Sequence, residues 1–201
     1  VETDLNTWHF YLNGYEIVRD HIRKVVEETY PGSSFNFIGE NRQTDAPLMN
    51  SECGMVWGVD GSAGDSDLAW QYHYMLNEYR LHEKLCGFVF TEFHDVVNEF
   101  NGYYRIDNTD KDFGYQDFCR GMSLCDLHAA DFLAVDCPPV QTVAPGAAVD
   151  VPLVLSSFSD AHHGETCSVE WELWHDGLQG RVCDGQGAFA LPEFGWGTTS
   201  L

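Results

Sequence analysis

Positive charge is what this sequence has least of. Ten Lys and Arg stand against 32 Asp and Glu, a formal charge of −22. A chain this acidic repels nucleic acid and anionic lipid at long range, so neither is expected as a partner and a neutral substrate is favoured over an anionic one. The same charges also keep a surface soluble. Long apolar runs are missing too: no stretch of roughly 18 apolar residues occurs, so no membrane span is expected, and no basic-then-apolar N-terminus marks a secretory signal. The first residue is Val1 rather than Met, which suggests a processed chain or a fragment. Paired cysteine motifs are absent. The seven cysteines, at positions 53, 86, 119, 125, 137, 167 and 183, form no Cys-x-x-Cys, and an odd count at scattered spacings argues against a full disulfide framework. Most are expected to be buried thiols. His162, His163, Cys167 and His175 lie near one another in sequence but follow no zinc-ligand spacing, so neither metal nor cofactor is expected.

What is present is enough to fold. With 201 residues, 44% hydrophobic and 14% aromatic, the chain can bury a core in one or two domains. Residues 1 to 11 read as a strand (Val1 to Leu5) running into a polar-aromatic end, Asn6 to Tyr11. From Tyr15 to Tyr30, Ile17, Val18, Ile22, Val25 and Val26 recur at helical spacing until Pro31-Gly32 stops them. A second strand is expected at Leu48 to Ser51. After the Gly- and Asp-rich loop Gly58 to Asp67 comes a helix with Leu68, Ala69, Tyr72, Met75, Leu76 and Tyr79 on one side, ending near Cys86-Gly87. A third short strand follows at Phe88 to Thr91. Three strand–helix units of one polarity argue for a parallel α/β sheet.

Beyond about residue 130 the texture changes. Phe132 to Val135, Val149 to Leu155 and Val169 to Trp174 are short runs separated by Gly, Pro, Asp and His, and Val169-Glu170-Trp171-Glu172-Leu173-Trp174 alternates with period 2. This predicts an antiparallel β-sandwich, with hairpins and a loose tail in the glycine-rich stretch from Gly177 to Gly197. The expected domains are residues 1–130 and 131–201.

One carboxylate has a conspicuous position. Glu52, in Ser51-Glu52-Cys53-Gly54, lies between apolar flanks at the C-terminal mouth of the second strand, and in (β/α)8 barrels that end of the strands is where active sites are built. Three segments then carry a resemblance to a family: Thr3 to Tyr11, Pro47 to Gly54, and Gly87 to Gly102 continued by Asp107-Asn108-Thr109-Asp110-Lys111. The last is the most specific, through Thr91-x-x-x-Asp95-Val96-x-x-Glu99-x-Asn101-Gly102 and the turn ending in Lys111. In these strings the chain resembles glycoside hydrolase family 2, the β-galactosidase, β-mannosidase and β-glucuronidase group. The likeness covers residues 1 to roughly 175. It implies a partial (β/α)8 TIM barrel, the sixth to eighth strands, followed by an immunoglobulin-like β-sandwich.

By the same resemblance Glu52 aligns with the catalytic nucleophile of a retaining β-glycosidase acting on a terminal β-linked sugar such as a β-galactoside. Cys53 stands where the family commonly has Phe or Tyr, and Glu92 where Gln is frequent. The family's general acid/base, a Glu in an Asn-Glu pair on the fourth strand, has no counterpart here: Asn77-Glu78 falls in a predicted helix and reads as surface, and Asn98-Glu99 belongs to the later string. A whole barrel needs about 250 residues, so the remainder is expected from the rest of a parent polypeptide or from another chain, and the fragment alone is expected to be inactive. It would expose an unpaired sheet edge, which favours self-association.

Candidate sugar contacts are Trp8, His9, Tyr11, Trp57 and Glu92, because an aromatic face packs on the C–H face of a pyranose while imidazole or carboxylate bonds its hydroxyls. For Trp8, His9 and Tyr11 the alternative is a core or rim cluster. Asp95 is expected to brace neighbouring cations, and Glu99, Asn101 and Lys111 to fix the loop. The competing function is a non-catalytic carbohydrate-binding or structural module.

Overall fold

The computed structural model describes residues 3–54, 65–97, 99–117, 119–175, 179–191 and 197–201. Trp57 lies outside them. The chain divides into two compact units, Val1–Phe113 and Gly114–Leu201; the boundary expected after residue 130 falls inside the second. Among the described residues both helix and strand are present, the strands in three sheets.

The first unit runs β1 (Asn6–Tyr11), α1 (Tyr15–Glu28), β2 (Leu48–Gly54), α2 (Asp65–Arg80), β3 (Leu85–Phe90). The three strands form one sheet in the order β1-β2-β3, and both pairings are parallel. Parallel neighbours need a crossover connection, which each helix supplies. Three strands do not close a barrel.

β1 begins later than the apolar residues Val1 to Leu5 suggest. Its partner strand starts only after Pro47, which has no amide hydrogen to give; the first rung is the Asn6 amide donating to the Pro47 carbonyl at 3.0 Å. β3 starts earlier than expected, because the chain after Arg80 turns at once through bonds from Leu81 to Glu78 and from Leu85 to His82.

In α1, Val18, Ile22 and Val25 are buried at i, i+4, i+7 spacing, whereas Ile17 faces out. The helix stops at Glu28, two residues short of Tyr30, since the residue before Pro31 disfavours helical backbone. No cation stands in its own last turn. Instead Lys84 donates to the carbonyls of Val26 and Thr29 at 2.6 and 2.7 Å, satisfying acceptors that the helix end leaves open.

All six apolar positions expected on α2 are buried. They pack on one face of the sheet: Tyr79 stacks on Phe88 with centroids 5.5 Å apart and meets Trp8 and Phe10 edge-on, while Tyr72 lies 4.5 Å from Phe90. Glu78 corrects the sequence reading. It is buried, not at the surface, and accepts from Arg23 Nε at 2.6 Å and faces His82 Nε2 at 2.9 Å, joining the two helices. An α-helix with charge on its inner side reads as amphipathic in the wrong place unless its partner is known.

After Phe90, residues 91–97 and 99–113 form an irregular strap held by isolated bridges, His94 with Tyr104 and Tyr104 with Asp110. A cis peptide joins Thr91 and Glu92.

The second unit carries two antiparallel sheets. One has the order β4-β5-β8, with β4 Asp131–Val135, β5 Leu153–Ser157 and β8 Gly197–Ser200; the other pairs β6 Thr166–His175 with β7 Gly180–Ala190. The glycine-rich stretch, where hairpins and a loose tail were expected, thus contains an eleven-residue strand paired antiparallel with β6. One of its glycines makes room: a Cβ at Gly185 would fall 2.5 Å from the ring of Trp171, its partner across the ladder. Cysteine burial also differs from expectation. All seven thiols are free and only Cys53 is buried, while 86, 119, 125 and 183 are exposed, because Cys86 in β3 of the first unit and the other three in the second fall on solvated strand, turn and loop positions.

Candidate functional site

The parallel arrangement brings the C-terminal ends of β1, β2 and β3 together, and with them Tyr11, Glu52 and Thr91. A register shift after Trp8 decides which side chains share a face. Trp8 pairs with Asn50, but His9 pairs with Glu52, so Ser51 is the extra residue of a bulge. Trp8, Phe10, Asn50 and Cys53 therefore face the helices, and His9, Tyr11 and Glu52 take the other side. Thr7, His9 and Glu52 are exposed there among the described residues.

Trp8 thus belongs to the core. Its side chain is 7% exposed and packs on Tyr79, which removes it from the sugar wall; only the parity of the strand separates it from His9. Cys53, next to Glu52, is on the helix side as well. Its thiol lies 3.4 Å from the Val89 carbonyl, and burial pushes it up to about 12, so it is inert as a nucleophile.

Tyr11 does something other than line a wall. Its hydroxyl donates to Glu52 Oε1. Burial raises the phenol above its ordinary value, the bond to Glu52 and the charges of Glu52 and Glu99 add to that, and a hydrogen bond with Thr91 opposes it. A protonated phenol is a fixed donor to the carboxylate.

Close contact fixes this junction. A Cβ on Gly54 would lie 2.8 Å from the Thr91 carbonyl oxygen, 3.0 Å from Asn101 Nδ2 and 3.0 Å from the Tyr11 ring. Only glycine fits there. The Thr91 amide donates to the Cys53 carbonyl at 2.7 Å, and Asn101 Nδ2 donates to the Thr91 carbonyl at 2.5 Å.

Glu92 follows on the strap. One carboxylate oxygen is buried without a hydrogen-bond partner, and burial first, then the nearby Glu99 charge, hold its carboxyl above the usual range. The strap itself is pinned by Asp95 and Lys111. Lys111 Nζ donates to Asp95 Oδ1 at 2.7 Å and to the Phe100 carbonyl at 2.8 Å, and the Gly102 amide donates to the same Asp95 oxygen at 2.9 Å. The expected bracing roles of Asp95, Asn101 and Lys111 are those the structure displays.

The structure thus gathers His9, Tyr11, Glu52 and Glu92 at one end of the sheet and sends Trp8 elsewhere. Thr91 and Gly54 were missed as site residues. Their signal was position alone, at the strand ends beside the two glutamates. A polar cleft of about 780 Å³, lined in part by Asp4, Asn6, Arg42 and Gln43, lies at the other end of β1 and β2 and contains none of the candidate residues. Among the described residues no three or more His, Cys, Asp or Glu side chains gather to hold a metal.

No family model matches this chain, and no curated protein matches it significantly. The functional reading rests on the residues and their geometry.

Proposed function

We propose that this chain carries the nucleophile-bearing part of a retaining β-glycosidase of the family 2 kind, acting on a terminal β-linked neutral sugar. The observation that carries the reading is the exposed Glu52 carboxylate at the C-terminal end of a parallel strand, held by the Tyr11 hydroxyl. A carboxylate free on one side and oriented by a donor on the other is what covalent glycoside cleavage requires.

In the proposed reaction a Glu52 oxygen attacks the anomeric carbon as the bond to the aglycone oxygen breaks, and a second carboxylic acid gives that oxygen its proton. Water then attacks the same carbon, passes its proton to that second group, and releases Glu52 as carboxylate. The two carboxyls of such a pair stand about 5 to 5.5 Å apart. By the family reading the second group comes from sequence outside this chain, as do the strands that would complete the barrel. The open face bearing His9 and Glu52 supports that view, since parallel sheets are covered on both faces in complete domains. The two antiparallel sheets of the second unit fit the immunoglobulin-like sandwich of the same reading.

His9 is the proposed hydroxyl contact beside the nucleophile, and Glu92 a second acceptor for sugar hydroxyls. The carboxylates of Glu52, Glu92 and Glu99 together disfavour an anionic sugar.

The test is to incubate the intact parent polypeptide with 2-deoxy-2-fluoro β-glycosides of several sugars and map the product by mass spectrometry. A stable adduct on Glu52 is expected, and the sugar that labels names the substrate class. Glu52→Gln should lower kcat by orders of magnitude while substrate still binds, because the nucleophile acts on the transition state. A folded protein that no sugar labels would leave the binding-module reading in its place.

A further inference from the structure

The bulge that precedes Glu52 is held by side chains. Trp8 pairs with Asn50 and His9 with Glu52, so the ladder breaks between Trp8 and His9 with Ser51 left over, as the extra residue of a bulge must be. Two neighbours on β2 reach back across the break to one atom. Asn50 Nδ2 donates to the Trp8 carbonyl at 3.3 Å, and Ser51 Oγ donates to the same oxygen at 3.2 Å. Consecutive side chains of a regular strand point to opposite faces, so two adjacent ones meeting on one carbonyl is a property of the bulge.

Asn50 is a poor choice for stability alone. It is 0% exposed, on the helix side of the sheet, and its Oδ1 has no hydrogen-bond partner among the described residues. A buried acceptor left unpaired costs about 1 to 3 kcal/mol. Leu, with the same branching, would fill the place between Trp8 and Phe88, the ladder partners on either side, without that cost. What Leu cannot do is donate to the Trp8 carbonyl. A buried polar group kept half-satisfied calls for a role other than packing.

We propose that Asn50 and Ser51 are positioning residues for Glu52: by clasping the Trp8 carbonyl they fix the bulge, and the bulge sets Glu52 opposite His9 with its carboxylate at the Tyr11 hydroxyl. The inference rests on the reading of Glu52 as nucleophile. Polarity chooses the face coarsely, because a carboxylate turned to the helix side would be buried without a partner. The clasp then sets the backbone between Asn50 and Glu52. Such precision matters to a nucleophile, since a misplacement of about 1 Å can cost about a hundredfold in rate. Asn50 lies on the face away from Glu52, and both residues act through the backbone that carries it.

The experiment compares Asn50→Leu alone, Asn50→Leu with Ser51→Ala, which removes both donors, and Asn50→Leu with Ser51→Thr, which keeps one. The same series built on Asn50→Val guards against a leucine that does not fit. In this chain, 3,5-difluorotyrosine, whose phenol titrates near neutrality, is placed at position 11 and its ¹⁹F resonance followed against pH. Burial, and then the bond to Glu52 and the charge of that group, hold the Tyr11 phenol up. A Glu52 that drifts from Tyr11 lets the midpoint fall, by about half a pH unit or more with both donors gone, and the threonine variant should recover most of the shift. Asn50→Leu should melt no lower than the unsubstituted chain, because the orphaned oxygen is gone. In the intact parent polypeptide, loss of both donors should lower kcat by about tenfold or more with KM little changed. An unmoved ¹⁹F midpoint with both donors gone, or an equal shift with threonine and alanine, would overturn the inference. So would a lower melting point in Asn50→Leu and Asn50→Val alike, which would make Asn50 a residue of stability. An unmoved midpoint with a sugar adduct on Glu52 sinks the clasp alone. A shifted midpoint with no adduct from any sugar sinks the glycosidase reading, and the catalytic use of the clasp with it.

Discussion

Replacing Lys111 by Met should open the strap without unfolding the rest of the molecule. The ammonium and the Asp95 carboxylate are 1% and 5% exposed, so solvent does little to screen what the substitution leaves behind. Lys111→Met removes the ion pair at 2.7 Å and the bond to the Phe100 carbonyl at 2.8 Å, and among the described residues the Asp95 side chain keeps only the Gly102 amide at 2.9 Å. Removing one partner of a buried pair costs about 3 to 5 kcal/mol, mostly because the other charge stays buried alone. The Gly102 amide reports on this directly, since its acceptor is the stranded carboxylate. Where reclosing is faster than exchange, about 3 kcal/mol corresponds to exchange faster by about a hundredfold. Amides of β4 and β5, in the other unit, serve as the internal control and should not change. Adding Asp95→Asn removes the unpaired charge while keeping an acceptor for Gly102. The double variant should therefore lose much less than the sum of the singles. An increase at Gly102 below about fivefold would put the pair in the range of exposed ion pairs and refute the reasoning, as would strict additivity in the double variant.

Gly102→Ala should destabilise the strap by about 3 kcal/mol or more, because the new Cβ would fall 2.3 Å from the His94 carbonyl carbon and 2.4 Å from the Asp95 nitrogen, which are backbone and cannot step aside; an unchanged melting curve would contradict the close approach. Glu78 is a pH-dependent link between α1 and α2. Burial opposes its ionised form, but hydrogen bonds from His82 and Arg23 outweigh it and hold the carboxyl below its ordinary 4.5. A depressed carboxylate gives stability above the unfolded value that is lost as pH falls through the folded one. Glu78→Gln should thus cost about 1 to 2 kcal/mol at pH 7, reduced by the exposure of Arg23, and the gap in urea stability should narrow below pH 4.5; a gap that widens on acidification would be inconsistent with the pairing. Alkylation of the folded chain should label Cys86, Cys119, Cys125 and Cys183 and spare Cys53, which is buried and pushed up to about 12. Peptide mapping that finds Cys53 modified as fast as those four would place it at the surface.

The elements of the first unit were legible where periodicity is strong. Val18, Ile22 and Val25 on α1 and the six apolar positions of α2 announce their faces, because a helix stripe repeats over several turns and leaves many chances to read it. Strand limits were less legible: β1 moved from Val1–Leu5 to Asn6–Tyr11, since a strand begins where a partner can bond it, and Pro47 sets that point from forty residues away. Glu78 escaped for a related reason. Its sequence neighbours look like those of a surface helix, and only Arg23 and His82, brought in by folding, make a buried carboxylate affordable. In the second unit Gly185 of β7 reads as looseness because the ring that needs its space, Trp171, belongs to another strand.

The sequence by itself determined the acidic balance, the α/β and β-rich halves and the place of Glu52 at the mouth of a strand, since these depend on composition, local periodicity and neighbours in the chain. Only the tertiary structure decided which aromatic residues stand beside Glu52. A single bulged residue, Ser51, puts Glu52 on the open face with His9 and Tyr11 rather than on the helix side with Trp8, and the convergence of three parallel strands sets Thr91 and Asn101 against Gly54. Register and close approach depend on residues remote in the chain, and that is why no local pattern could foretell them.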